Sequence, residues 1–449
     1  MPTDSIASLF STPDMDEIFS LPRQLQYMMR FEWALAAALE ANGIAQAGAA
    51  AAIEPLLDAK YVDLDRLLAE ARQAGNIAIP FVRQLTEAVR RRDEKAARHI
   101  HFGATSQDVL DTALVLTLRD AGVLIRSSLA ALDTSLARLA REHANTIMTG
   151  RTWLQAGPPI TLGLKVAGWL AALRRHRQRL AAAEERALVL EFGGAVGTLA
   201  ALGERGPVVS RVLAEKLELK EPKLPWHTHR DNLVELAACL GLLVGTLGKI
   251  ARDVSLLMQS EVAEVAEPAG EERGGSSTMP HKRNPVACAA ILAAAARVPA
   301  LVSTILGAMT QEHERGLGNW QAEWEVLPEI YRLSSGALAR AVEIANGLKA
   351  DPKRMLANLE STRGLAMSEA VSAALAARLG RAQAHELLEQ ASRRAIEEKR
   401  HLRHVLLEMS EVREHLSEAE LDRLLEPTNY LGSAHHFIRR VLGDGNATR

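Results

Sequence analysis

Between Gly274 and Pro285 the chain reads GGSSTMPHKRNP, which sets two serines, a lysine and an Asn-Pro pair within one short segment. Asn284-Pro285 is a helix start, with Asn as the cap and Pro at the first helical position. The N–H groups and positive end of the helix that follows predict an anion site, and Lys282 adds a full charge. Upstream, Gly270, Gly274, Gly275 and the serines suit a loop that closes over a substrate. Within it GEER (Gly270–Arg273) is either a hinge or a solvated run of charge. Gly, Ser and Pro could simply connect two helices, but Ser-Ser, Lys and Asn-Pro together at a helix mouth point to a bound anion.

Two further segments carry polar groups at the ends of long helical patterns. HFGATSQD (His101–Asp108) is a polar loop that opens a pattern running from Val109 to about Ile147. GRTWLQAG (Gly150–Gly157) is a loop before a second pattern from about Pro158 to Val189. WHTHRD offers His227, His229 and Asp231, but no second ligand cluster stands at metal spacing, so no metal is expected. GGAVGT (Gly193–Thr198) lacks G-x-G-x-x-G spacing, a Walker lysine and a preceding strand, and reads as a turn between helices. No cofactor motif is read. RRHRQR (Arg174–Arg179) reads as a solvated helix face.

The elements that must position these loops are helices. The composition is 48% hydrophobic but only 4% aromatic, with Ala and Leu dominant, which favours helix. Met15–Asn42 reads as one helix stopped by Asn42-Gly43. Three more long patterns run from about Asn232 to Val265, Pro285 to Glu314 and Ala322 to Lys349. LVELAACLGLLVGTL (Leu233–Leu247) is apolar all round and must be buried on all sides, which predicts subunits that pool their bundles. Asp351-Pro352 breaks the pattern. The expected organisation is an N-terminal helical domain (1–108), a central long-helix bundle (109–350) and a C-terminal helical domain (351–449).

A net charge of -2 gives no footprint for nucleic acid or an anionic membrane. No stretch approaches the ~18–20 uninterrupted apolar residues of a membrane helix, so no membrane partner is expected. The N-terminal residues lack a basic-then-apolar signal pattern, and Cys239 and Cys288 form no disulfide framework. A cytoplasmic location is the expectation.

GSSTMPHKRNP resembles the GSSxMPxKxNP signature of the fumarase/aspartase superfamily. HFGATSQDVLDTA (His101–Ala113) and GRTWLQAGPPITLG (Gly150–Gly163) resemble two further segments of that family, in the family's order. The resemblance implies an all-α fold of three helical domains, whose central long helices form a twenty-helix core in a homotetramer. Each active site would be shared between subunits and would need no cofactor. It implies Ser276 as the proton-transfer residue, with its oxyanion stabilised by Lys282 and the helix N-terminus. Lys282 and Asn284 would hold the carboxylate that takes the aci form. His101, Thr105 and Ser106 would hold the substrate's other carboxylates, and Gln155, Ser277 and Met279 complete the candidate binding set. Arg315, in HERGLGNWQAEWEVLPE (His313–Glu329), is a further cation for a small-molecule polycarboxylate.

Two positions depart from the pattern. The family's lyases place a general-acid histidine where this chain has Trp153, and pair it with a glutamate where this chain has Ala289. Expelling a nitrogen leaving group gains ~10²–10⁴-fold from a general acid. A carboxylate leaving group, whose acid has a pKa of roughly 4, needs none. The loss of both residues therefore implies the family's cycloisomerase branch, which lactonises 3-carboxy-cis,cis-muconate, with Trp153 either packing against the diene or shaping the pocket. A C–N lyase releasing fumarate, similar to adenylosuccinate lyase, is the alternative.

Overall fold

The computed structural model describes residues 6–268, 274–275, 279 and 282–443. Its elements are almost all helical. Six long helices dominate: α1 (Leu21–Ala41), α2 (Ser106–Glu142), α3 (Leu162–Ala187), α4 (Asp231–Leu257), α5 (Val286–Gly307) and α6 (Asn319–Gly347). Four short strands make two antiparallel pairs, β1 (Ile147–Thr152) with β2 (Gln155–Thr161), and β3 (Val265–Ala266) with β4 (Lys349–Ala350).

The pattern from Met15 to Asn42 is two helices. Pro13–Ile18 ends at Phe19, and α1 starts afresh because extended Ser20 caps it, accepting from the Arg23 N–H, with Pro22 in the first turn. Asn42 closes α1 by donating its side-chain amide to the Ala38 carbonyl. Asp351 opens the helix Pro352–Glu360 in the expected way, accepting from the Arg354 N–H at 2.9 Å.

The segment after α2 differs more. Instead of a loop and a helix from Pro158, the chain forms the β1–β2 hairpin, and α3 begins at Leu162, capped by the Thr161 hydroxyl. Trp153 and Leu154 make its two-residue turn with φ of 55° and 63°, the left-handed pair that matches strand twist. Gly150 sits at the register shift, where a Cβ would lie 2.5 Å from the Pro158 carbonyl oxygen. Pro158 and Pro159 are tolerated because a two-stranded ribbon consists only of edges.

The long helices thread two compact units. The first comprises Met1–Leu129, His176–Leu247 and Ala290–Ala339; the second comprises Ala130–Arg175, Gly248–Ala289 and Arg340–Arg449. These units follow packing, whereas the divisions at 108 and 350 follow helix ends, and the three-domain division stands as a proposal. In the first unit α1 buries Leu25, Met28, Phe31 and Leu35 in one core with Val209, Leu213 and Leu217 of the helix Gly206–Leu217. Each such side chain contributes about 1.5–3 kcal/mol. In the second unit Val371, Leu375, Leu388, Val405 and Leu406 form a separate core.

Two helices, α4 and α5, are long and apolar enough by length and composition to cross a membrane. In α4, 61% of the most apolar window is buried within the chain, while Leu242 stays 56% exposed. By contrast, only 28% of the most apolar window of α5 is covered.

Candidate active site

The polar loop before α2 belongs to the first unit. Gly103 turns it at φ 79°, where a Cβ would press to 2.9 Å from Leu202. His101 also takes a positive φ, 58°, and its Nδ1 lies 2.6 Å from Glu32 Oε1. Thr105 and Ser106 are half-buried at the start of α2.

Asp108, in the first turn of α2, organises what surrounds them. Its buried carboxylate accepts the N–H groups of Thr105 (3.0 Å), Gly193 (3.1 Å) and Gly194 (2.9 Å). GGAVGT is thus an irregular segment whose first two glycine amides hold an anion supplied by the protein itself. A Cβ at Gly193 would meet Pro225 and His227 at 2.7–2.8 Å, so only glycine permits this approach.

His227 of WHTHRD is buried, with Nε2 2.7 Å from Asp108 Oδ1 and 3.1 Å from Glu191 Oε1. Burial, and then the charges of Asp111 and Asp108, push the Glu191 carboxyl well above its ordinary range. Asp108, Glu191 and His227 are gathered as metal ligands could be, all within 4.8 Å. The two distances from His227 are hydrogen-bond lengths, however, and Asp108 already receives three amides. His229 and Asp231 are exposed and do not join them.

Arg230 is fully buried between Asp111 and Glu323, bonded to both through its guanidinium, and lies over the Trp226 ring at 4.7 Å. Burial disfavours its charge, but the two carboxylates outweigh that and raise its pKa. Trp320 Nε1 donates to Asp111 at 3.1 Å, and Gln107 donates to Asp111 and to the His227 carbonyl. Arg315 donates to Gln107 Oε1 (2.9 Å) and to the Gly194 and Ala195 carbonyls (3.4 and 2.7 Å). Its partners here are neutral, and it secures the same glycine turn.

The remaining candidates lie in the second unit. Trp153 is 98% exposed at the hairpin tip, and Gln155 is exposed beside it. The hairpin is anchored by Arg151, whose two terminal nitrogens reach Glu264 at 2.9 and 2.6 Å. Asn358 donates to the same buried carboxylate at 2.8 Å. Lys282 and Met279 are exposed, and Asn284 is half-buried. The Asn284 N–H reaches the Gly274 carbonyl at 2.9 Å, which ties these two residues together. Gly274 has φ 65°, and a Cβ there would lie 2.6 Å from the Asn284 carbonyl oxygen. Ser276, Ser277 and the GEER segment fall outside the described residues.

The helix mouth after Asn284-Pro285 is not open to an outside anion. The N–H groups of Ala287 and Cys288 are bonded to the buried Glu267 carboxylate at 3.1 and 2.8 Å. Those of Val286 and Ala289 go to the carbonyls of Asn284 and Pro285. The expectation that these amides receive a substrate is corrected on this point.

Sequence reading missed Glu32, Asp108, Glu191 and Glu267 as organisers. For Glu32 and Glu191 the only signal is an acid beside apolar residues, as in RFEWALAAAL (Arg30–Leu39); Asp108 and Glu267 lie among other polar or acidic residues.

With this geometry in place, the comparisons with known proteins decide the family. The family described as Lyase matches residues 10–300, and that described as adenylosuccinate lyase C-terminus matches 364–441. The chain belongs to the fumarase/aspartase superfamily. It is an all-α enzyme of that superfamily. Among its relatives, the 3-carboxy-cis,cis-muconate cycloisomerase of Pseudomonas aeruginosa is 53% identical over 98% of this chain and 95% of that protein. The nitrosuccinate lyase of Streptomyces davaonensis is 44% identical over 93% of this chain and 90% of that one. The crystal structure of the 3-carboxy-cis,cis-muconate lactonizing enzyme from Pseudomonas putida superposes with a TM-score of 0.93 at 51% identity, covering 98% of both chains. Superfamily members of one fold thus carry different reactions, and the site residues must separate them. Here both departures, Trp153 and Ala289, are exposed positions.

Proposed function

We propose that this enzyme lactonises 3-carboxy-cis,cis-muconate to 4-carboxymuconolactone. The observation that carries the reading is the paired loss of the superfamily's acid and its partner, with Trp153 and Ala289 in their places. The names of the relatives with about half their residues in common support it.

In the lactonising direction a substrate carboxylate is already ionised and attacks the diene without a base. A C–O bond forms, and the electron pair moves onto the carbon beside a second carboxylate, which takes the aci form. Lys282 and Asn284 stabilise that charge. Ser276 delivers its proton to the carbon and regains one from solvent. The reverse reaction uses Ser276 as base and expels a carboxylate, so one proton-transfer residue serves both directions. His101, Thr105 and Ser106, with Arg315, Gln155, Ser277 and Met279, complete the binding of a tricarboxylate. Addition follows the anti geometry usual in the superfamily.

The active form is a homotetramer with a twenty-helix core, and its sites are shared between subunits. The uncovered apolar surface of α5 and the exposed Trp153 support this assembly, because both gain from burial against another copy. A cytoplasmic location belongs to the same proposal, supported by two free, buried cysteines.

Incubation with 3-carboxymuconate and, separately, with adenylosuccinate, followed by ultraviolet absorbance, tests the reaction. Loss of the diene signal from the first alone is expected, and Ser276→Ala should slow it by about 10³-fold or more. Turnover of adenylosuccinate alone would establish the nitrogen-lyase reading instead.

A further inference from the structure

Glu32 lies in the middle of α1 with its side chain fully buried. Its carboxylate is divided over one residue: Oε2 accepts the backbone N–H of His101 at 2.8 Å, and Oε1 lies 2.6 Å from His101 Nδ1. His101 holds a left-handed φ of 58°, a conformation unfavourable for a residue with a Cβ unless its surroundings enforce it. The clamp supplies that enforcement, because it fixes the backbone and the ring together. The ring stays 18% exposed, and Nε2 has no hydrogen-bond partner among the described residues.

The clamp also settles what the ring offers. A carboxylate at Nδ1 requires a proton there, so a neutral ring would turn the lone pair of Nε2 outward and repel a substrate carboxylate. Only the imidazolium has a second N–H to donate. We propose that Glu32 is a positioning residue that fixes His101 with Nε2–H as its outward donor, making polycarboxylate binding depend on one proton at His101. This rests on the reading of His101 as a carboxylate-binding residue.

The charged groups acting on the ring are Glu32 from α1 and Asp108 from α2. Burial opposes the imidazolium, but the charge and hydrogen bond of Glu32, joined by the charge of Asp108, overcome it and raise the pKa. The charged ring therefore persists below the raised pKa and is lost as pH rises through it. In Glu32→Gln the geometry is nearly kept and the charge is removed, so the ring gives up its proton at lower pH.

The test is the pH profile of kcat/KM for 3-carboxymuconate in the parent, Glu32→Gln and His101→Gln enzymes. The alkaline limb should move acidward by about one pH unit or more in Glu32→Gln and vanish in His101→Gln. At pH 8 the KM of Glu32→Gln should rise about 10-fold while kcat stays within about 2-fold, a split that general loosening of the fold would not give. A second measurement needs neither substrate nor variant. The rate of diethyl pyrocarbonate modification of His101 in the parent, followed against pH by peptide mass, should have its midpoint above roughly 6.5. A midpoint below that value overturns the proposal, as does a limb that stays in place in Glu32→Gln while His101→Gln abolishes it. A His101→Gln enzyme with unchanged KM and limb overturns the binding role of His101 itself, and the inference with it.

Discussion

The start of α2 and the tip of the β1–β2 hairpin carry candidate residues of the same reaction under opposite conditions. Around Asp108 the chain answers its own polar groups: three amides and an imidazole converge on one buried carboxylate, and Arg230 is closed between two others. At the hairpin tip Trp153 and Leu154 stand 98% and 75% exposed in left-handed conformations. The contrast separates two ways of preparing a site. One part is organised before any ligand arrives, because buried charge tolerates no slack. The other is held stiffly by the Arg151–Glu264 pair and left uncovered, so its apolar tip gains only when something else covers it.

The largest expected effect attacks the closed part. Arg230→Met strips two buried carboxylates of their shared cation and should lower stability by about 3–5 kcal/mol in denaturant unfolding. A loss under about 1 kcal/mol would mean that Asp111 and Glu323 find other partners. Next is the open part. Trp153→Ala should reduce kcat/KM about 10²-fold, or about 2.7 kcal/mol, with an unchanged circular dichroism spectrum. Activity within about 3-fold of the parent would exclude the tip from the site.

A smaller effect is expected at the α5 mouth. Glu267→Ala frees the amides of Ala287 and Cys288 and should lower stability by about 1–2 kcal/mol. The smallest concerns Glu191. Its folded-state pKa is raised, so the folded protein holds a proton that the unfolded chain releases from about pH 4.3 upward. The stability tied to that proton is complete at lower pH and declines as pH rises toward the raised value. Glu191→Gln keeps the neutral form, and its stability relative to the parent should improve by about 1 kcal/mol between pH 5 and 8. Parallel stability curves for the two proteins would show that Glu191 is ionised in the fold.

The long helices were legible because apolar residues recur at helical spacing over many turns, and α2 and α6 match their patterns within a few residues. The hairpin was not, since Gly150, Gly157, Pro158 and Pro159 are loop signals locally and only strand pairing makes them an edge ribbon. The break before α1 was hidden for a related reason: the apolar period runs through Ser20 and Pro22, and the cap shows only in the backbone. Among candidate residues, the signature loops stand out in the sequence by their order of types. Glu32 and Glu267 do not, because an acid's place along the chain does not announce the amides it will meet.

The sequence by itself determined the helical class, the loops proposed to carry the chemistry and the departures at Trp153 and Ala289, since all of these are local patterns of residue type. Tertiary structure alone decided which anions occupy the amide-rich turns. Gly193 and Gly194 are given to an aspartate 85 and 86 residues away, and the mouth of α5 to a glutamate about 20 residues before it. An amide takes whichever carboxylate folding delivers within about 3 Å, and that choice is made across the chain rather than along it.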